Sequence, residues 1–101
     1  MALILRWAPE AEKTFFDIVS YLENNWTEKE VQKFVRTAHE VINNSRRFPK
    51  MCPPVGNEGI RKAVISKQNS LFYITNEKEG VIILLTFWDN RKDPNRLILN
   101  K

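Results

Sequence analysis

The side chains in this sequence best suited to chemistry are cations. Arg46, Arg47 and Lys50 fall in one short stretch, Arg61, Lys62 and Lys67 in a second, and Arg91, Lys92 and Arg96 in a third. A planar guanidinium pairs bidentately with phosphate oxygens, so arginines presented from two strands can converge on one phosphate. Arg61 shares the alternation of Ala63 and Ile65, and Arg91 continues that of Phe87 and Asp89, which predicts such a convergence. Cutting a phosphodiester also requires an acid or base near the 2′-hydroxyl and the leaving oxygen. Glu58, Tyr73, Asp89 and Asp93 are the available groups, and none sits in a recognisable catalytic arrangement. A basic stripe with so few acid/base groups describes a binder more naturally than a catalyst.

Other chemistries find little support. His39 is the single histidine and lies outside the apolar stripe of its predicted helix. One Cys and one His provide no metal cluster with the usual spacing, so no metal and no cofactor are expected. Gly56, Gly59 and Gly80 are scattered singly, so there is no glycine-rich phosphate loop. Cys52, between Met51 and a proline pair, has no obvious His partner and reads as a packed thiol rather than a nucleophile.

The elements that must position the cations belong to one domain spanning residues 1–101. Apolar residues make up 43% and charged residues 28%, ordinary values for a globular domain. A single cysteine forms no intrachain disulfide, and the opening Met-Ala-Leu-Ile-Leu is cut short by Arg6, too soon for a signal peptide or membrane span. The expected location is the cytoplasm. The net charge of +4 is unevenly placed. Residues 1–44 hold five Lys/Arg against seven Asp/Glu, a net −2, whereas residues 45–101 hold eleven against five, a net +6. A phosphate-bearing partner should therefore meet the second half.

Leu3, Leu5 and Trp7 alternate as a short strand. Pro9, with Glu10 and Glu12, suits a helix start, and Ala11, Phe15, Ile18, Val19 and Leu22 form its apolar stripe as far as Asn24-Asn25. Thr27 and Glu30 have the form of a capping box before a second stripe of Val31, Phe34, Val35, Ala38, Val41 and Ile42. The short connection predicts an antiparallel helical hairpin. From Ser45 to Gly59 prolines and glycines predict a loop carrying Arg46, Arg47 and Lys50. Ile60–Lys67, Ser70–Asn76 and Val81–Asp89 then read as an antiparallel meander. The predicted fold is α+β in the order β-α-α-β-β-β: a four-stranded antiparallel sheet with the N-terminal helical hairpin on one face. Val81–Trp88 is apolar on both faces, yet two helices cover only one. The tail Asn95–Lys101 or a partner chain must close the other, or it stays an apolar patch, with a partner favoured.

This order of elements carries familiar residues. A strand ending in Trp7-Ala8-Pro9 leads into Ala11-Glu12, then Ile18 and Tyr21-Leu22; Trp26 precedes the second helix and Pro49 follows it. Arg61 lies on the next strand, and the closing Asn90-Arg-Lys-Asp-Pro-Asn-Arg-Leu97 contains Arg91-x-Asp-Pro-x-x-Leu97, the most specific motif. In these features, over nearly its whole length, the chain resembles the RelE/ParE superfamily of type II toxin–antitoxin toxins. The resemblance implies a cognate antitoxin whose C-terminal segment wraps the toxin, as a heterotetramer or beside a toxin homodimer. RelE-like members cut mRNA in the ribosomal A site with Lys, Arg and Glu residues plus a C-terminal Tyr or His. Arg61 and Arg91 fall on the positions of the strand arginines, and Glu58 is the acidic candidate. The C-terminal Tyr or His is missing, since residues 95–101 read Asn-Arg-Leu-Ile-Leu-Asn-Lys. ParE-like members inhibit DNA gyrase without a known catalytic residue, and the Arg-x-Asp-Pro ending is closer to theirs. A non-catalytic gyrase inhibitor is therefore favoured; the alternatives are a ribosome-dependent mRNA endoribonuclease or an inactive member. Target contacts are then expected from Arg46, Arg47, Lys50, Arg61, Lys62, Arg91, Lys92 and Arg96.

Overall fold

The computed structural model describes residues 2–92. Strand β1 (Ile4–Trp7) runs through Ala8 into helix α1 (Pro9–Asn25), followed by helix α2 (Glu28–Arg47). Pro9 opens α1, where its missing N–H costs nothing, with Glu10 and Glu12 in the first turn near the positive end of the helix dipole. Thr27 caps α2, its Oγ1 accepting from the Glu30 N–H at 3.4 Å. Four further strands follow: β2 (Pro54–Val55), β3 (Ile60–Val64), β4 (Asn69–Asn76) and β5 (Val81–Asp89).

They form one five-stranded sheet in the order β1-β5-β4-β3-β2. The predicted class is α+β and so is the structure, but the expectation of four antiparallel strands is corrected in two respects. β1 pairs with β5 in parallel, Ile4 opposite Val81 and Trp7 opposite Leu84, so the sheet is mixed. A fifth, two-residue strand at Pro54–Val55 pairs with Ile60–Arg61 in what reads as loop; its proline sits on an edge, the place in a sheet where proline is tolerated. Two boundaries shift as well. α2 continues to Arg47, so Ser45, Arg46 and Arg47 are helical, with Arg46 and Arg47 near the negative helix end. β3 stops at Val64 instead of Lys67, because the Ile65 and Ser66 N–H groups turn onto the Asn69 carbonyl.

Both helices pack on one face. Ala11, Phe34, Ala38 and Ile42 are buried against Ala63, Leu71, Tyr73, Ile82, Leu84 and Phe87. Trp7, Phe15 and Phe87 join the layers, with each pair of rings 5.1–5.5 Å apart. Tyr73 stands opposite Leu84 but Phe72 opposite Thr86, a bulge that inserts Leu85 as an extra residue. It lets Leu84 and Phe87, three positions apart, face the same core, which strict alternation does not anticipate. On the opposite face Ile60, Phe72 and Leu85 are buried with Ile74, Ile83 and Trp88 half-buried around them, while Ile4 and Val64 are exposed. The expectation that Asn95–Lys101 or a partner closes this face falls on residues outside those described.

Candidate functional site

The cations do not form one stripe. Arg46 ties the end of α2 to the start of the chain: its Nε donates to the Leu3 carbonyl at 2.8 Å, and the Leu3 N–H donates to the Arg46 carbonyl. Arg47 is exposed, with its guanidinium 5.7 Å from the Phe48 ring centre. Lys50 is exposed, 3.9 Å from Glu77. Lys62 is half-buried on β3. Arg91, Lys92 and Lys67 cluster at the other end of the sheet, where Asn90 bonds the Lys67 and Gln68 carbonyls. Arg96 and Asp93 lie outside the described residues.

Arg61 is a fastener. Its Nη1 donates to the Cys52 carbonyl at 2.6 Å, pinning the segment that follows α2. Directly opposite it on β4, Tyr73 is fully buried and donates its hydroxyl to the Pro49 carbonyl at 2.8 Å. Burial, then a hydrogen bond with Cys52, pushes the Tyr73 phenol up to about 12. It is no acid or base near neutrality. Asp89 is equally unsuited: two charge-assisted bonds from Arg91 (Nε to Oδ1 at 3.0 Å, Nη2 to Oδ2 at 2.7 Å) hold its carboxyl down at about 2. Glu58 sits exposed in the turn before β3.

Nor do Arg61 and Arg91 converge. Arg61 is level with Tyr73 and Leu84, whereas Arg91 lies beyond Asp89, which is level with Asn69. Those levels are about 13 Å apart along the strands, and β3 and β5 are two strand spacings, roughly 10 Å, apart across the sheet. Each guanidinium is also turned to its own partner. The shared-phosphate expectation fails because alternation reports which face a residue occupies and says nothing of its level along the strand.

Sequence reasoning passed over a cleft of about 460 Å³ between α1, the start of α2 and the end of β5. Tyr21 and Trp26 line it with Glu30, Arg91 and Lys92. The signal was visible at the end of α1: Tyr21 lies outside its apolar stripe and Trp26 just beyond the helix, and both are exposed, so the core does not account for them. Among the described residues no group of three His, Cys, Asp or Glu side chains could hold a metal ion, and no helix is long and apolar enough to cross a membrane.

The family model described as ParE toxin of type II toxin–antitoxin system, parDE, matches residues 5–94. The chain belongs to that family. Solved structures bear out the fold of this ParE-family chain. The chromosomal ParDE toxin–antitoxin system from P. aeruginosa matches with TM-score 0.72 at 14% identity, covering 87% of this chain and 96% of that one. The RelBE2 toxin–antitoxin complex from Mycobacterium tuberculosis matches with TM-score 0.62 at 14% identity, over 89% and 100%. The YoeB dimer from Staphylococcus aureus matches with TM-score 0.57 at 17% identity, over 85% and 94%. No curated protein sequence matches significantly.

Proposed function

We propose that this ParE-family toxin arrests growth by inhibiting DNA gyrase, and that a cognate antitoxin neutralises it by covering its basic second half. The observation favouring an inhibitor over a ribonuclease is the separation of Arg61 and Arg91, one bound to the Cys52 carbonyl and the other to Asp89. Phosphoryl transfer depends on donors preorganised at one developing charge, which this arrangement does not supply. The buried phenol of Tyr73 and the ionised Asp89 remove two acid/base candidates. An inhibitor requires only a surface. Exposed Arg47, Lys50 and Lys92 then make target contacts, Arg91 with them, whereas Arg46 and Arg61 act by holding the fold.

Expression without antitoxin is expected to arrest bacterial growth with DNA-damage signalling. Purified protein should lower supercoiling by purified gyrase on titration and leave message intact on programmed ribosomes. Message cut at A-site codons, and spared by Arg91→Ala, would overturn the gyrase reading in favour of the ribonuclease. Normal growth at verified soluble expression would overturn the toxin reading itself.

A further inference from the structure

The cleft beside α1 has a lining of unusual balance. Trp26 is 60% exposed and Tyr21 50%, and neither ring packs on another aromatic ring or under a cation among the described residues. Ile18, Leu22 and Phe87 provide apolar surface between them. Gln68 and Asn69 border this surface. The charges at the mouth largely cancel: Asp17 is paired with Lys13 at 3.1 Å and Asp89 with Arg91 at 2.7 Å. Glu30 remains as a lining carboxylate, and Lys92 lies beside Arg91 at the rim, its exposed Nζ 5.6 Å from the Trp88 ring centre and drawn from there by an incoming anion.

That balance selects a ligand. A cationic side chain entering the cleft meets Arg91 and Lys92, and an anionic one meets Glu30. A flat, uncharged ring with hydrogen-bonding edges meets neither penalty and gains two aromatic faces, which serve any base because every base has a π-face. A phosphate joined to that ring would reach Lys92, with Lys67 next in sequence to Gln68 at the same end of the sheet. We infer that the cleft binds a nucleobase of single-stranded nucleic acid, stacked on Trp26 and Tyr21, its amino edge on Glu30 and its phosphate on Lys92. A carboxylate only accepts hydrogen bonds, so it favours bases that carry an exocyclic amino group. Adenine and cytosine are therefore preferred over uracil and thymine. The cleft shares Lys92 and Arg91 with the proposed target surface, but strand binding and gyrase inhibition are read by separate assays, so either can fail without the other.

Fluorescence anisotropy of the full chain with labelled eight-nucleotide A, C, U and T strands, in ribose and deoxyribose forms, tests it. A and C strands should bind more tightly than U and T strands, and the sugar series shows which polymer is preferred. Trp26→Ala and Tyr21→Ala should each weaken binding roughly ten-fold or more while leaving the melting curve in place, since both side chains are exposed. Glu30→Gln, whose amide can also donate, should remove most of the base preference. Lys92→Ala should lower the slope of log affinity on log salt by about 0.7. Unchanged affinity in both aromatic variants, or absent base preference in the parent chain, would overturn the assignment. Free AMP binding as tightly as the A strand would also overturn it, pointing to a nucleotide site rather than a strand.

Discussion

Replacing Tyr73 by Phe removes one oxygen atom from a fully buried, hydrogen-bonded position. The phenol is fully buried and its hydroxyl donates to the Pro49 carbonyl at 2.8 Å, so the variant leaves a carbonyl without its partner while the ring still fills its place. A lost hydrogen bond together with an unsatisfied acceptor costs about 1–2 kcal/mol. For a domain of this size that lowers Tm by roughly 5–10 °C. The pH dependence is more diagnostic. The Tyr73 phenol is raised from 10.0 to about 12 by burial first and its Cys52 contact second. A group raised on folding stabilises fully below its unfolded value, so the contribution is intact up to about pH 10. It declines as pH climbs towards about 12, because the unfolded chain releases the proton first. Two pH units at 1.36 kcal/mol each bring the loss to between about 2 and 3 kcal/mol at most. Urea unfolding of both proteins between pH 7 and pH 12, followed by circular dichroism, isolates the effect, since every other titrating group is shared. The stability gap between parent and Tyr73→Phe should be constant to about pH 10 and close above it. A gap of the same size at pH 9 and pH 11.5 would refute the reasoning.

Other expectations follow from neighbouring contacts. Arg61→Ala frees the Cys52 carbonyl and should destabilise by about 1–3 kcal/mol in urea melts, with faster proteolysis between Phe48 and Pro53; unaltered cleavage there would mean that the fastening role is wrong. Thr14→Val removes the Oγ1 that accepts the Phe87 N–H at 2.9 Å, and a loss of about 1–3 kcal/mol is expected, seen as earlier thermal unfolding; an unchanged Tm would show that water replaces the hydroxyl. The Asp89 carboxyl should titrate near 2 by NMR, and in Arg91→Ala its midpoint should rise, because the two Arg91 bonds are the leading cause of the depression. An unmoved midpoint contradicts that cause. The depressed carboxyl confers its stability above the usual 3.8 and loses it as pH falls through about 2.

Much of the fold was legible because helices announce themselves locally. Pro9 and Thr27 mark both starts, and the stripes from Ala11 to Leu22 and from Val31 to Ile42 fall on the faces that the structure buries or half-buries. Strand partners are not local. Nothing around Leu3, Leu5 and Trp7 states that the pairing is with Ile82 to Leu84, nor that it is parallel, and Pro54 disguises a two-residue strand. The site was less legible for the same reason. Residue type marked Arg61 and Arg91 as phosphate ligands, but their function in the folded chain depends on backbone carbonyls and a carboxylate that only the register and loop path reveal. Tyr21 and Trp26 were visible as residues unused by the core, yet the wall facing them comes from Gln68, Asn69 and Phe87.

The parallel pairing of Ile4 with Val81 joins the strand that precedes the helical hairpin to the last strand described, with more than seventy residues between them. Until β5 has left the ribosome, β1 lacks its neighbour and the helical hairpin lacks Phe87, onto which Phe15 packs and to whose amide Thr14 bonds. A nascent chain that ends at β4 therefore exposes two unmatched apolar stripes and has no edge on which to place its N-terminus. Such non-local closure is slow relative to hairpin formation. Premature termination before β5 should thus yield fragments without a native sheet, cleared by proteases, so that a shortened message makes no active product. For a chain of a toxin family, this confines activity to products that include β5.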